Sequence, residues 1–149
     1  MDQRIIDGVL LTPLKRIANE KGDILHALKQ SDDSFSAFGE AYFSIANLNA
    51  VKGWKMHTQM ALNIVVPLGT IRFVIYDNRP HSKTNGVFQD VVLSVDNYCR
   101  LTVPPGLWMA FQGVGRGVNM LLNIASIEHD PKESINTALD TFPFDWELN

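Results

Sequence analysis

Apolar and polar side chains alternate along much of this chain in short runs, and clusters of glycine, proline, asparagine and serine separate the runs. Stretches at 24–28, 42–46, 54–66, 70–76, 87–93, 99–103, 107–112 and 118–124 carry the period of two, or the β-branched and aromatic enrichment, that strands require. Breakers fall between them at 20–23, 67–69, 78–86, 94–97, 104–106 and 113–117. Many short strands at near-regular spacing predict an all-β sandwich or barrel, and the jelly-roll is one way such a sheet protects its edges. Helix is expected only near the carboxyl end. There PKESINTAL, at 131–139, begins with a proline whose missing N–H costs nothing in a first turn. The polar SDDS at 31–34 reads as a loop. GVGRG at 113–117 lies between two strands, so it reads as a hairpin loop and not as a phosphate loop.

The chain has 149 residues, 46% of them hydrophobic, which is enough for one core and too little for two ordinary domains. A single domain over 1–149 is expected. The formal net charge of −3 is spread over both halves and offers no footprint for nucleic acid or an anionic membrane. No apolar run reaches the length of a membrane span, and MDQRIIDG has neither the apolar core nor the cleavage site of a signal peptide, so a cytoplasmic protein is expected. The single cysteine, Cys99, excludes an internal disulfide and reads as a small buried hydrophobe. His26, His57, His81 and His129 are dispersed and none forms an H-x-H pair, so neither a metal nor another cofactor is expected.

Within WKMHTQMALN, at 54–63, strand alternation puts Lys55, His57, Gln59 and Asn63 on one face and Trp54, Met56 and Met60 on the other. Facing a cavity, the first set offers a proton acceptor, a cation for an enolate oxygen and two amides. Removal of a proton beside a ketone needs such a base and such a cation. Facing water, the same set is the ordinary polar side of an antiparallel strand.

One contiguous stretch, 69–113, carries a more specific pattern. Gly69 precedes an alternating run ending in Asp77 and Arg79 (D-x-R). Ser82, Thr84 and Gly86 follow as S-x-T-x-G, then Leu93, Ser94 and Asn97, then Pro104, Gly106 and Phe111. In order and spacing this resembles the central barrel of the nucleotide-sugar 3,5-epimerases, the family of dTDP-4-dehydrorhamnose 3,5-epimerase. The resemblance implies a jelly-roll of the cupin type and a homodimer. It also implies metal-independent epimerisation of a nucleotide-diphosphate sugar carrying a 4-keto-6-deoxy group, in cell-surface polysaccharide (O-antigen) biosynthesis. The family's base lies in R-G-x-H-x-Q. Here KGWKMHTQ, 52–59, places His57 and Gln59 in that relation, with Lys55 two residues before the histidine as electrostatic partner. A late aspartate before a tryptophan orients the family's base and fixes its tautomer. ALDTFPFDW offers Asp140 ahead of Trp146, with Asp145 as second choice.

Two departures bear on the chemistry. Aligning the family's Y-x-P turn with His129, Asp130 and Pro131 puts Asn123 where the family has its acid tyrosine, and an amide cannot donate and regain a proton as a phenol does. Of Tyr42, Tyr76 and Tyr98, Tyr76 ends a core strand and is the expected replacement. In the amino-terminal nucleotide-binding motif, NEKGDILH at 19–26 offers Lys21 and His26 in place of an arginine and a glutamate. KGD is equally a good turn. Gln59, Asn63, Arg72, Trp108 and Asn123 complete the expected substrate contacts; Arg79 is expected either to contact substrate or to pair with Asp77. Three other readings stay open: a sugar 3,4-ketoisomerase, a non-catalytic nucleotide-sugar or carbohydrate-binding cupin, and a metal-dependent cupin enzyme.

Overall fold

The computed structural model describes residues 5–148. Two five-stranded antiparallel sheets face each other as a jelly-roll. Five strands, β1 (Leu10–Pro13), β4 (Glu40–Ile45), β6 (Leu62–Leu68), β9 (Cys99–Val103) and β11 (Met120–Ala125), form the first sheet in the order β1-β9-β6-β11-β4. The second runs β12-β5-β10-β7-β8, from β5 (Val51–His57), β7 (Thr70–Tyr76), β8 (Phe88–Ser94), β10 (Trp108–Gly113) and β12 (Ser134–Asn136). A small hairpin, β2 (Arg16–Ile17) with β3 (Ile24–Leu25), lies apart from both sheets.

The core follows from the alternation. Ile64, Val66, Leu101, Val103 and Leu121 of one sheet meet Ile71, Phe73, Ile75, Val91 and Leu93 of the other, and all are buried. The outer face of the second sheet is apolar as well, which is why its strands read as nearly continuous hydrophobic runs. Trp54, Val74 and Ala110 are buried there under an aromatic layer that includes Tyr76, Phe88 and Trp108, and the carboxyl-terminal segment lays Phe142, Phe144 and Trp146 over it. Trp54 Nε1 anchors that segment by donating to the Leu139 carbonyl at 3.2 Å, and Gln112 Nε2 donates to the Trp146 carbonyl at 3.1 Å.

Three local expectations are corrected. The run at 54–66 is two strands: β5 ends at His57, and β6, beginning at Leu62, belongs to the opposite sheet. No glycine or proline marks the break, so the sequence carries no turn signal there. The stretch at 131–139 holds strand β12 in place of helix, and the helical element nearby is a three-residue 3-10 turn, Leu139–Thr141. The 113–117 segment crosses from the second sheet to the first, so it is no hairpin. Gly69 makes the corresponding crossing between β6 and β7 with φ of +76°, and a Cβ there would lie 2.3 Å from the Val118 carbonyl oxygen.

The D-x-R and S-x-T-x-G motifs form a polar knot that also ties down Asp7, through Arg79 Nη2 at 2.7 Å and Thr84 Oγ1 at 3.0 Å. Asp77, fully buried, accepts from Arg79 Nε at 2.9 Å, Ser82 Oγ at 2.6 Å and Thr84 Oγ1 at 2.6 Å. The Arg79 guanidinium, with those two hydroxyls, holds the Asp77 carboxyl far below the usual carboxylate range. Arg79 is therefore the structural partner of Asp77.

Candidate active site

A cleft of about 380 Å³ opens between the two sheets. From the second sheet, Lys55 and His57 of β5 enter it two residues apart, as strand alternation requires, together with Met109 and Phe111 of β10. Leu62, Ile64 and Leu121 of the first sheet form an apolar wall, and Tyr42, Ser44 and Asn123 add polar groups to the same side. An apolar wall with a few placed polar groups is the usual composition of a small-molecule site.

The histidine is held from behind. His57 Nδ1 is hydrogen-bonded to Oε1 of Glu133, whose side chain is 3% exposed against 13% for the imidazole. The second carboxylate oxygen accepts the backbone N–H groups of Gln59 at 3.1 Å and Met60 at 3.2 Å. Burial pushes the Glu133 carboxyl up, but the bond from His57 and the two from backbone N–H groups outweigh it, and the group sits below its ordinary value. Glu133 is thus an anion, and the imidazole atom facing it, Nδ1, is the one placed to donate; in the neutral ring Nε2 is then the acceptor. The positioning is local. Asp130 closes a turn by accepting from Lys132 N at 2.9 Å and, through its carbonyl, from Glu133 N at 3.1 Å. The strand that follows pairs with β5, so that Ser134 lies opposite His57.

Lys55 lines the cleft, and among the described residues its ammonium has no hydrogen-bond or ion-pair partner. Lys52 bridges the cleft mouth, donating to Ser44 Oγ at 3.2 Å and to the Ile45 carbonyl at 2.7 Å. Asn123 is 2% exposed. Its Nδ2 donates to the Tyr42 hydroxyl at 3.1 Å, and its Oδ1 is buried without a partner among the described residues.

The other residues expected from the sequence lie elsewhere. The carboxylate on His57 is Glu133 and not Asp140, which is exposed in the 3-10 turn; Asp145 is exposed beside Trp146 and caps Glu147 N at 2.9 Å. Tyr76 cannot be the acid of this cleft, because it is stacked on Phe88 at 4.3 Å in the outer aromatic layer. Trp108 is in that layer too, 5.4 Å from Phe142. Arg72 is clamped by Asp90 through Nε at 3.0 Å and Nη2 at 2.7 Å and lies over the Phe144 and Trp146 rings. Gln59 contributes its backbone N–H while its side chain is exposed. Asn63, placed by the strand break on the far face of the first sheet, binds the Ser34 carbonyl at 3.1 Å and Thr102 Oγ1 at 2.6 Å. Lys21 lies in an exposed turn whose N–H binds Asn19 Oδ1 at 2.9 Å, and His26 lines a separate cleft with Lys15, Lys29 and Arg100. Glu133 and Tyr42 are among the members of the site that the sequence reading missed. A glutamate two residues beyond an Asp-Pro turn is the only local sign of the first. Among the described residues no cluster of three or more His, Cys, Asp or Glu is placed to hold a metal ion, and no helix is long and apolar enough to cross a membrane.

Comparison with known proteins agrees with this architecture. The sequence model of the dTDP-4-dehydrorhamnose 3,5-epimerase family matches residues 3–149. The crystal structure of a dTDP sugar isomerase from Desulfovibrio desulfuricans G20 superimposes with a TM-score of 0.91 at 38% identity, covering 95% of this chain and 92% of that one. A probable low-salt glycan biosynthesis epimerase, Agl13, from Haloferax volcanii is 26% identical over 127 residues, 84% of this chain and 81% of its own length. ChmJ, a 3′-monoepimerase from Streptomyces bikiniensis crystallised with dTDP-quinovose, shares the fold with a TM-score of 0.82 at 16% identity, over 93% of this chain and 74% of that one.

Proposed function

Since this chain belongs to the dTDP-4-dehydrorhamnose 3,5-epimerase family, we propose that it epimerises a nucleotide-linked 4-keto-6-deoxy sugar at a carbon beside the ketone. The observation that carries this reading is the His57–Glu133 pair at the edge of a cleft that also holds Lys55, whose ammonium has no partner among the described residues. A buried carboxylate on Nδ1 fixes the tautomer in which Nε2 accepts a proton. His57 Nε2 takes the proton from the carbon next to the carbonyl, and the electron pair of that C–H bond moves through the new C=C bond onto the carbonyl oxygen. Lys55 is the cation on the same wall that meets the developing enolate oxygen. Reprotonation from the other face inverts the centre. The apolar wall of Leu62, Ile64 and Leu121 suits a ring that carries a methyl group in place of a hydroxymethyl.

The names of the relatives support a dTDP-linked substrate and a role in glycan biosynthesis. We read the working form as a homodimer. Phe43, 64% exposed, and Ile45, 40% exposed, lie on the outer face of edge strand β4, where a second copy would cover them.

Incubation with dTDP-, GDP-, CDP- and UDP-linked 4-keto-6-deoxyglucose, followed by proton NMR of the products, tests the reading. Inverted sugar is the expected product. A 3-keto product makes the protein a ketoisomerase, and bound but unchanged sugar makes it a binding module.

A further inference from the structure

We propose that Tyr42 is the general acid of this cleft, delivering a proton to the face of the sugar opposite His57; the assignment rests on the epimerase reading above. Inversion at a carbon requires that the proton arrive on the face from which none was taken. His57 and Lys55 belong to β5 and enter from the second sheet; Lys52, also of β5, reaches across to β4, but its ammonium is held there by Ser44 Oγ at 3.2 Å and the Ile45 carbonyl at 2.7 Å. That wall is built by β4, β6 and β11 of the first sheet, and its polar lining residues are Tyr42, Ser44 and Asn123. An alcohol is far too weak an acid to protonate an enolate carbon usefully, and an amide has no proton to exchange in this way. With the Lys52 ammonium engaged by Ser44 and the Ile45 carbonyl, the phenol of Tyr42 is the uncommitted donor on that wall.

Its surroundings fit the role. Tyr42 and Asn123 are directly opposed in the β4–β11 ladder, so their side chains rise from the same face on adjacent strands. Asn123 Nδ2 donates to the phenol oxygen at 3.1 Å, which leaves the hydroxyl proton free to point at a ligand and offers an N–H to the phenolate once that proton has gone. Among the described residues the Asn123 Oδ1 is buried without a partner, an unmet acceptor in the wall beside the phenol. Relative to the resemblance, which has its phenol at the position of Asn123, the acid is displaced by one strand, about 5 Å in a sheet. Tyr42 is also 42% exposed, so its proton is renewed from solvent.

The step balances. As the enolate collapses, its C=C pair forms the new C–H bond with the Tyr42 proton and the C=O bond reforms. Tyr42 is left as phenolate and His57 as imidazolium; one proton lost to water and one gained from it restore both.

The test is the Tyr42→Phe variant in heavy water with dTDP-4-keto-6-deoxyglucose, following inversion and deuterium incorporation separately by NMR, with dTDP binding as the check on folding. Inversion should fall about 10²–10⁴-fold. Deuterium should still enter the unreacted isomer, because His57 can remove and return a proton on its own face. Wild-type inversion in Tyr42→Phe overturns the assignment, as does equal loss of exchange and inversion in a variant that binds dTDP. Wild-type protein that neither exchanges nor inverts any nucleotide sugar overturns the epimerase reading together with it, and needs no variant to be recognised. If Tyr42→Phe does not fold, 3-fluorotyrosine placed at position 42 must move the alkaline limb of the inversion rate to lower pH, and an unmoved limb overturns the proposal.

Discussion

Glu133 holds His57 from behind: one carboxylate oxygen takes the imidazole Nδ1–H, and the other takes the backbone N–H groups of Gln59 and Met60. Three donors converge on two oxygens that only an ionised carboxylate supplies. Residues 76 apart in the chain are joined in this way, by a turn that feeds the short strand beside β5.

Glu133→Gln replaces one of those oxygens with an NH₂ group that must face a donor. The imidazole then loses its enforced tautomer, and kcat should fall by about 10²–10⁴-fold, as when a histidine's orienting carboxylate is replaced by an amide. The mismatch should also cost about 1–3 kcal/mol in stability, measurable by denaturant titration. Unchanged kcat in a folded variant would remove Glu133 from the account.

Lys55→Met takes away the cation assigned to the enolate oxygen. A loss of about 10²–10³-fold in kcat is expected, with a smaller change in KM, because the interaction grows as charge develops. Steady-state kinetics separates this from a diphosphate-binding role, in which KM would rise and kcat would hold.

Acid should weaken the fold through two carboxylates. Asp77 and Glu133 both have folded pKa values held below their unfolded ones. Their contribution is present in full above the unfolded values and is lost as pH falls through the folded ones. The Tm should therefore be level near neutrality and decline below about pH 4.5, where carboxylates of the unfolded chain begin to bind protons. Asp77→Asn should lower stability by about 2–3 kcal/mol at pH 7 and flatten that decline, since it removes a charge-assisted acceptor from Arg79.

Gly69→Ala tests the crossing between the sheets. A methyl group at φ +76° and 2.3 Å from the Val118 carbonyl oxygen forces the backbone apart, and a loss of at least about 2 kcal/mol is expected by thermal or chemical denaturation.

The sequence revealed those parts of the site that are set within a single strand. Lys55 and His57 share a face because they are two residues apart in β5, and the motif residues from Gly69 to Gly106 fix the barrel corners. What stayed hidden depends on pairing between distant segments. The strand break after His57 turned Asn63 to the far face and left only the backbone of Gln59 in the site. Glu133 looked like the first turn of a helix, since nothing near it shows that it will reach the histidine. Tyr42 looked like an ordinary residue of an apolar strand, and its relation to Asn123, 81 positions away, exists only once β4 and β11 are paired. Arg72, Trp108 and Tyr76 were misread because both faces of the second sheet are covered, so its outward residues look like cavity residues.

The most direct measurement is proton exchange in heavy water on dTDP-4-keto-6-deoxyglucose, wild type against His57→Asn, with dTDP affinity measured on both. The account predicts that wild type loses the proton signal beside the ketone while His57→Asn binds dTDP equally well and leaves the signal intact over the same time. Exchange at the wild-type rate in the variant would contradict it, because another group would then have to be the base.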